Sequence, residues 1–400
     1  MNAYILDGIR TPFGRFAGSL CDIRTDELAA TAIQLLLARH PALDKTQISE
    51  VFMGCANQAG EDNRNVARMA ALLADLPVSV PGVTVNRLCA SGLEAVIQAG
   101  RAIHAGDMQL AIAGGVESMT RSPYVMAKPS TPFARNCDLE DTTIGWRLIN
   151  PRMKKLYGVD SNPETAENLA QEMHISREDQ DAYAWRSQQR TAEALASGYF
   201  VEEMADVVRS GKRGDPIVTR DDEHPRPATT MQELAALKPI AHPEGTITAG
   251  NASGINDGSC ALLIASEQAV QLHGLQPLAR IVGAASAGVA PRVMGIGPVP
   301  AIRQLLQRFQ LTLQDIDLIE INEAFAAQVL ACTRELGLPD DSRKVNPNGG
   351  AIALGHPLGA SGARLTLTAA RELQRRGGRY AIVSLCVGVG QGLAMLIERV

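Results

Sequence analysis

The sequence predicts an α/β protein made of two copies of one strand–helix unit, with a long insert in the first copy. Short runs of β-branched residues alternate with apolar residues at helical spacing, as in sheets covered by helices on both faces. Three elements also recur in order at nearly one spacing: Ile48 and Ile316 lie 268 positions apart, ASG at 90–92 returns at 360–362, and LAIAGG at 110–115 matches YAIVSL at 380–385. The repeat favours two similar halves about a pseudo-twofold axis.

The elements of the first half follow from these patterns in chain order. We predict strands over 3–9, 48–53, 82–86 and 109–114, and helices over 26–39 (opened by Thr25) and 67–74. A further helix follows residue 90, because residues 93, 96, 97, 100 and 103 are small or apolar at helical spacing. Ser91 is placed to cap its start.

Cys89 lies in the tight turn between the strand over 82–86 and this helix. A thiol at that place faces unpaired backbone N–H groups and the positive end of the helix dipole. Both favour the thiolate, which is the nucleophilic form of cysteine. We therefore expect Cys89 to be an activated nucleophile, although most cysteines are small buried hydrophobic residues.

Residues 121–248 match neither copy and form the insert. It contains prolines at 123, 129, 132, 151 and 163, and then a helix that Ser176 caps and Gly198 ends. The stretch 209–246 is rich in proline, glycine and charge, which favours ordered loop. We expect a lid or substrate-binding excursion, and an oligomerisation arm is the alternative.

Three further residues with reactive side chains lie directly after a predicted strand or within a glycine-rich loop. Asn322 follows a strand over 318–321, a place that also suits a simple helix cap. His356 lies in the glycine-rich run NPNGGAIALGHPLGASG, before a helix that should start near Ser361. Cys386 lies in SLCVGVGQG between strands over 379–385 and 393–399. That run is not a dinucleotide loop, because LAMLIERV after it reads as a strand rather than a helix.

Composition excludes several classes of protein. The 400 residues are 46% hydrophobic and 20% charged, with a net charge of −5 and no basic run, which argues against nucleic-acid binding. The N-terminus lacks a leader pattern and no apolar run reaches membrane-spanning length. Seven scattered cysteines without a Cys-x-x-Cys pair argue against a disulfide framework or a zinc ribbon. We expect a cytoplasmic protein without a bound metal.

Two cysteines, one histidine and one asparagine on such a scaffold suit acyl transfer through a thioester. In this interpretation Cys89 attacks a carbonyl and His356 takes its proton. Cys386 moves a second proton at the α-carbon of the substrate, and backbone amides in the glycine turns hold the oxyanion.

These residues stand in motifs that together resemble the thiolase family. The motifs are NRLCASG around Cys89, AGNASGINDG at 249–258, NEAF at 322–325, GGAIALGHPLGASG around His356 and CVGVGQG around Cys386. The resemblance implies two βαβαβαββ halves in a five-layer α/β/α/β/α sandwich, over residues 1–270 and 271–400, with the insert as a loop domain. It also implies cleavage of a 3-oxoacyl-CoA by CoA, or the reverse condensation.

By position, the resemblance assigns roles to the residues. Cys89 carries the acyl group, His356 activates it and Cys386 is the general acid/base. His356 and a water on Asn322 polarise one thioester carbonyl, and the amides of Cys89 and Gly388 polarise the other. The positions that contact CoA are Arg226, Ser253, Leu237 and Phe325. CoA is a co-substrate and no further cofactor is implied. The family also suggests a homotetramer built as a dimer of dimers.

Two features point to a subfamily that degrades aromatic compounds. Val389 stands where many thiolases have glycine, and DTTIGWRLINPRMKKLYGVDSNPETAEN at 141–168 resembles the corresponding segment of 3-oxoadipyl-CoA thiolases. Residues 121–160 carry seven Lys/Arg against four acids, a local charge of +3. An arginine suits the terminal carboxylate of 3-oxoadipyl-CoA through bidentate pairing. The candidates are Arg121, Arg135, Arg147 and Arg152, unless these charges form a solvated surface or bind CoA phosphates.

We therefore expect a 3-oxoadipyl-CoA thiolase, and several alternatives stay open. A general 3-ketoacyl-CoA thiolase or an acetyl-CoA acetyltransferase would use the same chemistry, and a dehydrosuberyl substrate of phenylacetate breakdown would be closely related. A non-catalytic acyl-CoA binding protein would have no need of the four reactive groups. A Cys–His hydrolase would explain neither the second cysteine nor the CoA motif.

Overall fold

The strands define most of the architecture. The computed structural model describes residues 1–211 and 214–400. Its strands are β1 (Ala3–Arg10), β2 (Gly14–Arg15), β3 (Glu50–Gly54), β4 (Gly82–Val85), β5 (Leu110–Ser118), β6 (Tyr124–Met126), β7 (Leu139–Asp141), β8 (Val207–Ser210), β9 (Pro216–Thr219), β10 (Asn256–Ser266), β11 (Ala279–Gly288), β12 (Leu318–Ile321), β13 (Tyr380–Val387) and β14 (Gln391–Arg399).

The helices alternate with these strands, as the sequence pattern predicts. They are α1 (Thr25–Ala38), α2 (Val66–Leu73), α3 (Ser91–Ala105), α4 (Pro151–Tyr157), α5 (Asn162–Glu172), α6 (Arg177–Ala196), α7 (Met231–Ala235), α8 (Glu267–His273), α9 (Pro298–Phe309), α10 (Ala326–Glu335), α11 (Ala351–Leu354) and α12 (Leu358–Arg376).

The order of the strands shows the internal repeat. Paired strands follow one another as β12-β13-β14-β11-β1-β10-β5-β3-β4. The run β12, β13, β14, β11 on one side therefore corresponds to β3, β5, β10, β1 on the other. The two runs meet at β1 and β11, which pair antiparallel with Ile5 opposite Ala279. Antiparallel pairing is what a twofold axis between two equivalent strands produces, so the prediction of two related halves is confirmed.

The helices complete five layers around the three largest hydrophobic clusters of the described residues. Helices α3 and α12 pack against each other and against strands of both halves, with a shared core that includes Leu93, Leu365 and Leu393. Helices α1 and α2 cover the outer face of the first half. Helices α9 and α10 cover the outer face of the second half. Because α3 begins directly after Cys89 and α12 directly after His356, the central layer brings the two halves' motifs together.

Several predicted boundaries are corrected by the structure. Strand β13 continues to Val387, so Cys386 lies within a strand rather than after it, and α12 begins at Leu358, before Ser361. Strand β14 follows the glycine turn directly, which confirms the rejection of a dinucleotide loop. The prediction of loop over 209–246 is wrong in part, because the described residues there include β9, part of the β8–β9 hairpin, and α7. Residues 212 and 213 of that stretch lie outside the described residues.

Helix lengths also bear on membrane insertion. In the portions of the chain that the structure covers, no helix combines the length and the apolar character that crossing a bilayer requires. The longest helix, α6, has 20 residues and is opened by Ser176, whose side chain accepts the Asp179 amide as predicted. Gly198 follows with a positive φ of 70°.

Candidate active site

The turn that carries Cys89 is a short 3-10 helix, Leu88–Ala90, between β4 and α3. Leu88 has a positive φ of 46°, and the Asn86 side chain accepts its amide at 2.9 Å. The prediction that Ser91 caps α3 is wrong: Ser91 is the first helical residue. Its hydroxyl accepts the Arg87 amide at 2.9 Å and donates to the Leu88 carbonyl at 2.6 Å. Ser91 therefore braces the nucleophile turn itself.

The Cys89 thiol is almost completely buried, and this changes its acidity. Burial raises the pKa of Cys89 to about 11, and the nearby Glu117 carboxylate acts in the same direction. The amides of Gly388 and of Cys89 itself oppose this shift. The predicted contacts with amides are therefore present, but the expected net fall in the pKa of Cys89 is wrong, because burial outweighs them. Cys89 requires a base.

His356 is buried between α11 and α12, and its hydrogen bonds fix its tautomer. Nδ1 lies 2.6 Å from the Ser361 hydroxyl, which itself donates to the Pro357 carbonyl at 3.0 Å. The hydroxyl oxygen must therefore accept a hydrogen bond from Nδ1–H, so Nδ1 carries the ring proton and Nε2 has a lone pair. Burial, assisted by the positive charge of Arg364, lowers the pKa of His356 to about 3. The imidazole is neutral at pH 7, as a general base requires.

Asn322 lies beside the unprotonated Nε2 of His356. Its side-chain Nδ2 is 3.2 Å from His356 Nε2, and its backbone amide donates to the Ser384 carbonyl at 2.9 Å. The Oδ1 atom of Asn322 is buried, and it accepts no hydrogen bond from any residue that the structure describes. Asn322 and His356, which are 34 residues apart, thus form one polar pair.

Cys386 reaches the same place from β13. It is fully buried, and burial raises its pKa far above the usual value, with Cys89 and Cys332 acting in the same direction. The strand packs against the Cys89 turn. In the following turn Val389 has a positive φ of 62°, and a Cβ on Gly388 would lie 3.0 Å from the Leu88 side chain. The structure thus brings Cys386 and Gly388 to Cys89.

An open cavity of about 330 Å³ reaches Cys89. Its wall combines both halves and the insert: Leu88, Glu117 and Gly388, residues of the insert between 142 and 165, and Arg292 with Met294 from the second half. The insert contributes the Trp146 ring, whose Nε1 donates to the Asp160 carbonyl at 3.2 Å. The expectation of a substrate-binding excursion therefore fits the position of this segment.

The four candidate arginines fall into different surroundings. Arg147 lines the cavity and donates to the carbonyls of Gly145 and Asn57, at 3.3 and 3.4 Å. Arg121 does not line it, because its Nε and Nη2 donate to the Glu61 carboxylate at 2.7 and 2.5 Å, and its Nη1 donates to the Cys21 carbonyl at 3.1 Å. Arg135 and Arg152 are exposed and lie outside the cavity wall. Sequence reasoning missed Arg292, since nothing in the chain links residue 292 with the insert.

The predicted CoA contacts gather around the loop before β10. The Ser253 amide donates to the Ala324 carbonyl at 3.0 Å, next to Phe325. A Cβ on Gly250 would meet the Leu237 side chain at 2.6 Å, so Leu237 covers the same loop. Arg226 is exposed, and its amide is held by the Gln188 side chain at 2.8 Å. Ser253, Leu237 and Phe325 are thus near one another, whereas the structure shows no hydrogen bond of Arg226 with any of these three described residues.

Comparison with known proteins agrees with this geometry. Residues 3–268 match the thiolase N-terminal domain and residues 275–399 match the thiolase C-terminal domain. The chain belongs to the thiolase family. It is an acyltransferase of that family, and the recognised motifs around Cys89, His356 and Cys386 all meet at the cavity.

Individual thiolases are similar to this chain over its whole length. It is 62% identical over 397 residues to the beta-ketoadipyl-CoA thiolase of Pseudomonas aeruginosa, with 99% of each chain covered. It is 60% identical over 398 residues to the 3-oxoadipyl-CoA/3-oxo-5,6-dehydrosuberyl-CoA thiolase of Escherichia coli, covering 100% of this chain and 99% of that one. Human mitochondrial 3-ketoacyl-CoA thiolase in complex with CoA superposes with a TM-score of 0.91 at 40% identity, over 100% and 98% of the chains.

Proposed function

We propose that this chain cleaves 3-oxoadipyl-CoA with CoA to give succinyl-CoA and acetyl-CoA, in the breakdown of aromatic compounds. The observation that carries the proposal is the cavity at Cys89 whose wall contains Arg147. Within residues 1–211 and 214–400, this guanidinium forms no ion pair with a carboxylate. The similarity to beta-ketoadipyl-CoA thiolases, which are named for an acyl group with a free terminal carboxylate, supports the same conclusion.

The first half of the reaction uses Cys89, His356 and Cys386. His356 Nε2 takes the Cys89 proton as the sulfur attacks the 3-oxo carbonyl, and the amides of Cys89 and Gly388 hold the oxyanion. Because burial disfavours an isolated thiolate and an isolated imidazolium, proton transfer accompanies the attack. The bond between C2 and C3 then breaks. The acetyl-CoA enolate, held at its oxygen by His356 and a water on Asn322, takes a proton on carbon from Cys386.

The second half of the reaction restores both cysteines. CoA gives its thiol proton to the Cys386 thiolate, and its sulfur attacks the succinyl thioester on Cys89. The Cys89 sulfur leaves and regains its proton from His356. Every proton is therefore returned within one turnover. Arg226, Ser253, Leu237 and Phe325 bind the CoA that enters and leaves.

The terminal carboxylate of the substrate pairs with Arg147, and Arg292 adds a second positive charge to the cavity wall. Arg292 forms an ion pair with Glu172, but both side chains are about half exposed. An exposed pair of this kind contributes little free energy and exchanges readily. Arg147 is only partly exposed and bonds two carbonyls over long distances. It is therefore the better carboxylate partner.

Thiolysis of 3-oxoadipyl-CoA is expected to have a kcat/KM at least tenfold higher than thiolysis of 3-oxohexanoyl-CoA. The two acyl chains have the same length and differ in the terminal carboxylate. Tenfold corresponds to about 1.4 kcal/mol at the transition state. Equal values would indicate a general 3-ketoacyl-CoA or acetyl-CoA thiolase, and turnover of neither substrate would indicate an acyl-CoA binding protein.

Arg147→Met should raise KM for 3-oxoadipyl-CoA by about 10-fold to 100-fold, because a charge-assisted hydrogen bond contributes about 1.5–3 kcal/mol. KM for 3-oxohexanoyl-CoA should stay within about twofold of the original. Arg121→Met is the matched control, since Glu61 already holds that guanidinium away from the cavity. Equal losses on both substrates in Arg147→Met would contradict the assignment.

The proposal includes the organisation and the location of the protein. The chain divides into halves at 1–270 and 271–400 with the loop domain at about 121–248, a division that the β1–β11 junction supports. It forms a homotetramer as a dimer of dimers, and the exposed apolar side chains on and near the β6–β7 hairpin suit such contacts: Tyr124, Met126, Phe133 and Leu139. Seven free thiols fit the reducing cytoplasm.

A further inference from the structure

Glu117 is a buried carboxylate in the wall of the Cys89 cavity, at the end of β5. Backbone amides of two separate segments, the loop after β3 and the start of α12, donate hydrogen bonds to it. Its Oε2 accepts the Ala56 and Gly359 amides at 3.0 and 2.8 Å, and its Oε1 accepts the Asn57 amide at 3.0 Å. Burial raises the pKa of Glu117 to about 7 in spite of these three donors. Burying a carboxylate costs free energy, so its presence at this position suggests a functional role.

One of the two segments, the start of α12, directly follows the catalytic histidine. Gly359 is in the first turn of α12, three residues after His356, and its amide would otherwise lack an acceptor inside the helix. The His356 amide itself donates to the Asn256 side chain at 2.9 Å, and its Nδ1 contacts Ser361. Glu117 thus adds to the hydrogen bonds of Asn256 and Ser361 that hold the backbone and side chain of the His356 segment.

The other segment, the loop after β3, contacts the wall of the acyl cavity. The Asn57 side chain donates to the Ser122 hydroxyl at 2.8 Å and to the Thr142 carbonyl at 2.9 Å. The Asn57 carbonyl accepts from Arg147. Because Glu117 binds the Asn57 amide, one carboxylate connects the histidine segment with the part of the insert that surrounds the substrate.

A structural metal is a poorer explanation of the same side chains. Cys55, Asp62 and Glu117 lie close enough together to share an ion. However, the Asp62 carboxylate accepts the Gln58 and Gly60 amides, at 3.1 and 2.8 Å, and the Cys55 thiol at 3.5 Å. Asp62 therefore organises the loop after β3, and its oxygens, like those of Glu117, are occupied by hydrogen-bond donors.

We propose that Glu117 is a positioning residue, which fixes the His356 segment relative to the acyl cavity so that Nε2 and the Cys89 thiol meet correctly. It touches neither the reacting atoms nor CoA in this role. Its effect is on geometry, to which proton transfer is sensitive. This role depends on thiolase chemistry and not on the identity of the acyl group.

Glu117→Gln tests this proposal with little change in volume. The new side-chain NH₂ cannot accept an amide, so one of the two connections is lost. We expect kcat for thiolysis to fall at least tenfold, while KM for CoA stays within about twofold. Loss of the Glu117 negative charge would by itself favour the Cys89 thiolate and speed its alkylation by iodoacetamide. Slower alkylation in Glu117→Gln would therefore report a displaced His356 base, and this readout needs no acyl-CoA, so it is independent of the proposed substrate.

Asp62→Asn is the matched control, because Asp62 holds the same loop but does not contact α12. Its kcat should stay within about threefold of the original protein. If both variants lost kcat equally, the loop alone would matter and the proposal would be wrong. Unchanged kcat in Glu117→Gln, with only a lower melting temperature, would also overturn it. Should Glu117→Gln not fold, Glu117→Asp keeps the charge, shortens the reach, and should likewise lower kcat more than Asp62→Asn does.

Discussion

His356→Gln is expected to lower kcat/KM for thiolysis by at least about 10³-fold. Burial raises the pKa of Cys89 to about 11, so only about one thiol in 10⁴ is ionised at pH 7. The neutral imidazole, whose pKa is lowered to about 3, is the base that overcomes this deficit. Glutamine fills similar space and keeps hydrogen-bonding groups near Ser361 and Asn322, but it cannot accept the proton.

Acylation of Cys89 measured by mass spectrometry after rapid mixing would test this expectation directly. The acyl-enzyme should form slowly or not at all in His356→Gln. His242→Gln is a suitable control, because His242 is exposed and lies outside the cavity wall. Rapid acylation in His356→Gln would show that another group, or a preformed thiolate, activates Cys89.

Cys386→Ala is expected to lower thiolysis by at least about 10³-fold while leaving exchange of the acyl group between CoA and Cys89. Thiolysis requires a proton on the carbon of the departing acetyl-CoA, and the Cys386 thiol supplies it. Its strongly raised pKa keeps this proton in place at pH 7. In the exchange between acetyl-CoA and Cys89 no carbon is protonated, so Cys386 keeps its own proton. His356 takes the Cys89 proton and passes it to the departing CoA sulfur, and the reverse step returns it, so the exchange does not require Cys386.

Incorporation of labelled CoA into acetyl-CoA measures this exchange, and thiolysis of a 3-oxoacyl-CoA measures the complete reaction. Cys332→Ala controls for the loss of a buried thiol, because Cys332 lies on α10 with its sulfur 3.3 Å from the Gly295 carbonyl. It should retain both activities. If Cys386→Ala lost exchange as completely as thiolysis, Cys386 would act on the nucleophile rather than on the substrate carbon.

Local pattern predicted much of the scaffold. The strand before Cys89, the strand before Asn322 and the β14 strand after the glycine turn are where the sequence places them, because side-chain periodicity reflects which residues are buried. The ends of some strands and helices differ from their predicted positions. The extension of β13 through Cys386 and the start of α12 at Leu358 depend on pairing with β14 and on packing, which periodicity does not record.

The sequence by itself determined the two-copy α/β scaffold and the identities of Cys89, Asn322, His356 and Cys386, because turn residues and strand patterns are local. Only the tertiary structure decided how these groups behave. Burial by distant segments reversed the expected shift in the Cys89 pKa, and Ser361 fixed the His356 tautomer. Glu61 binds Arg121 outside the cavity wall, whereas Arg147 lines the cavity. Burial and pairing depend on residues far apart in the chain, so no local pattern contains them.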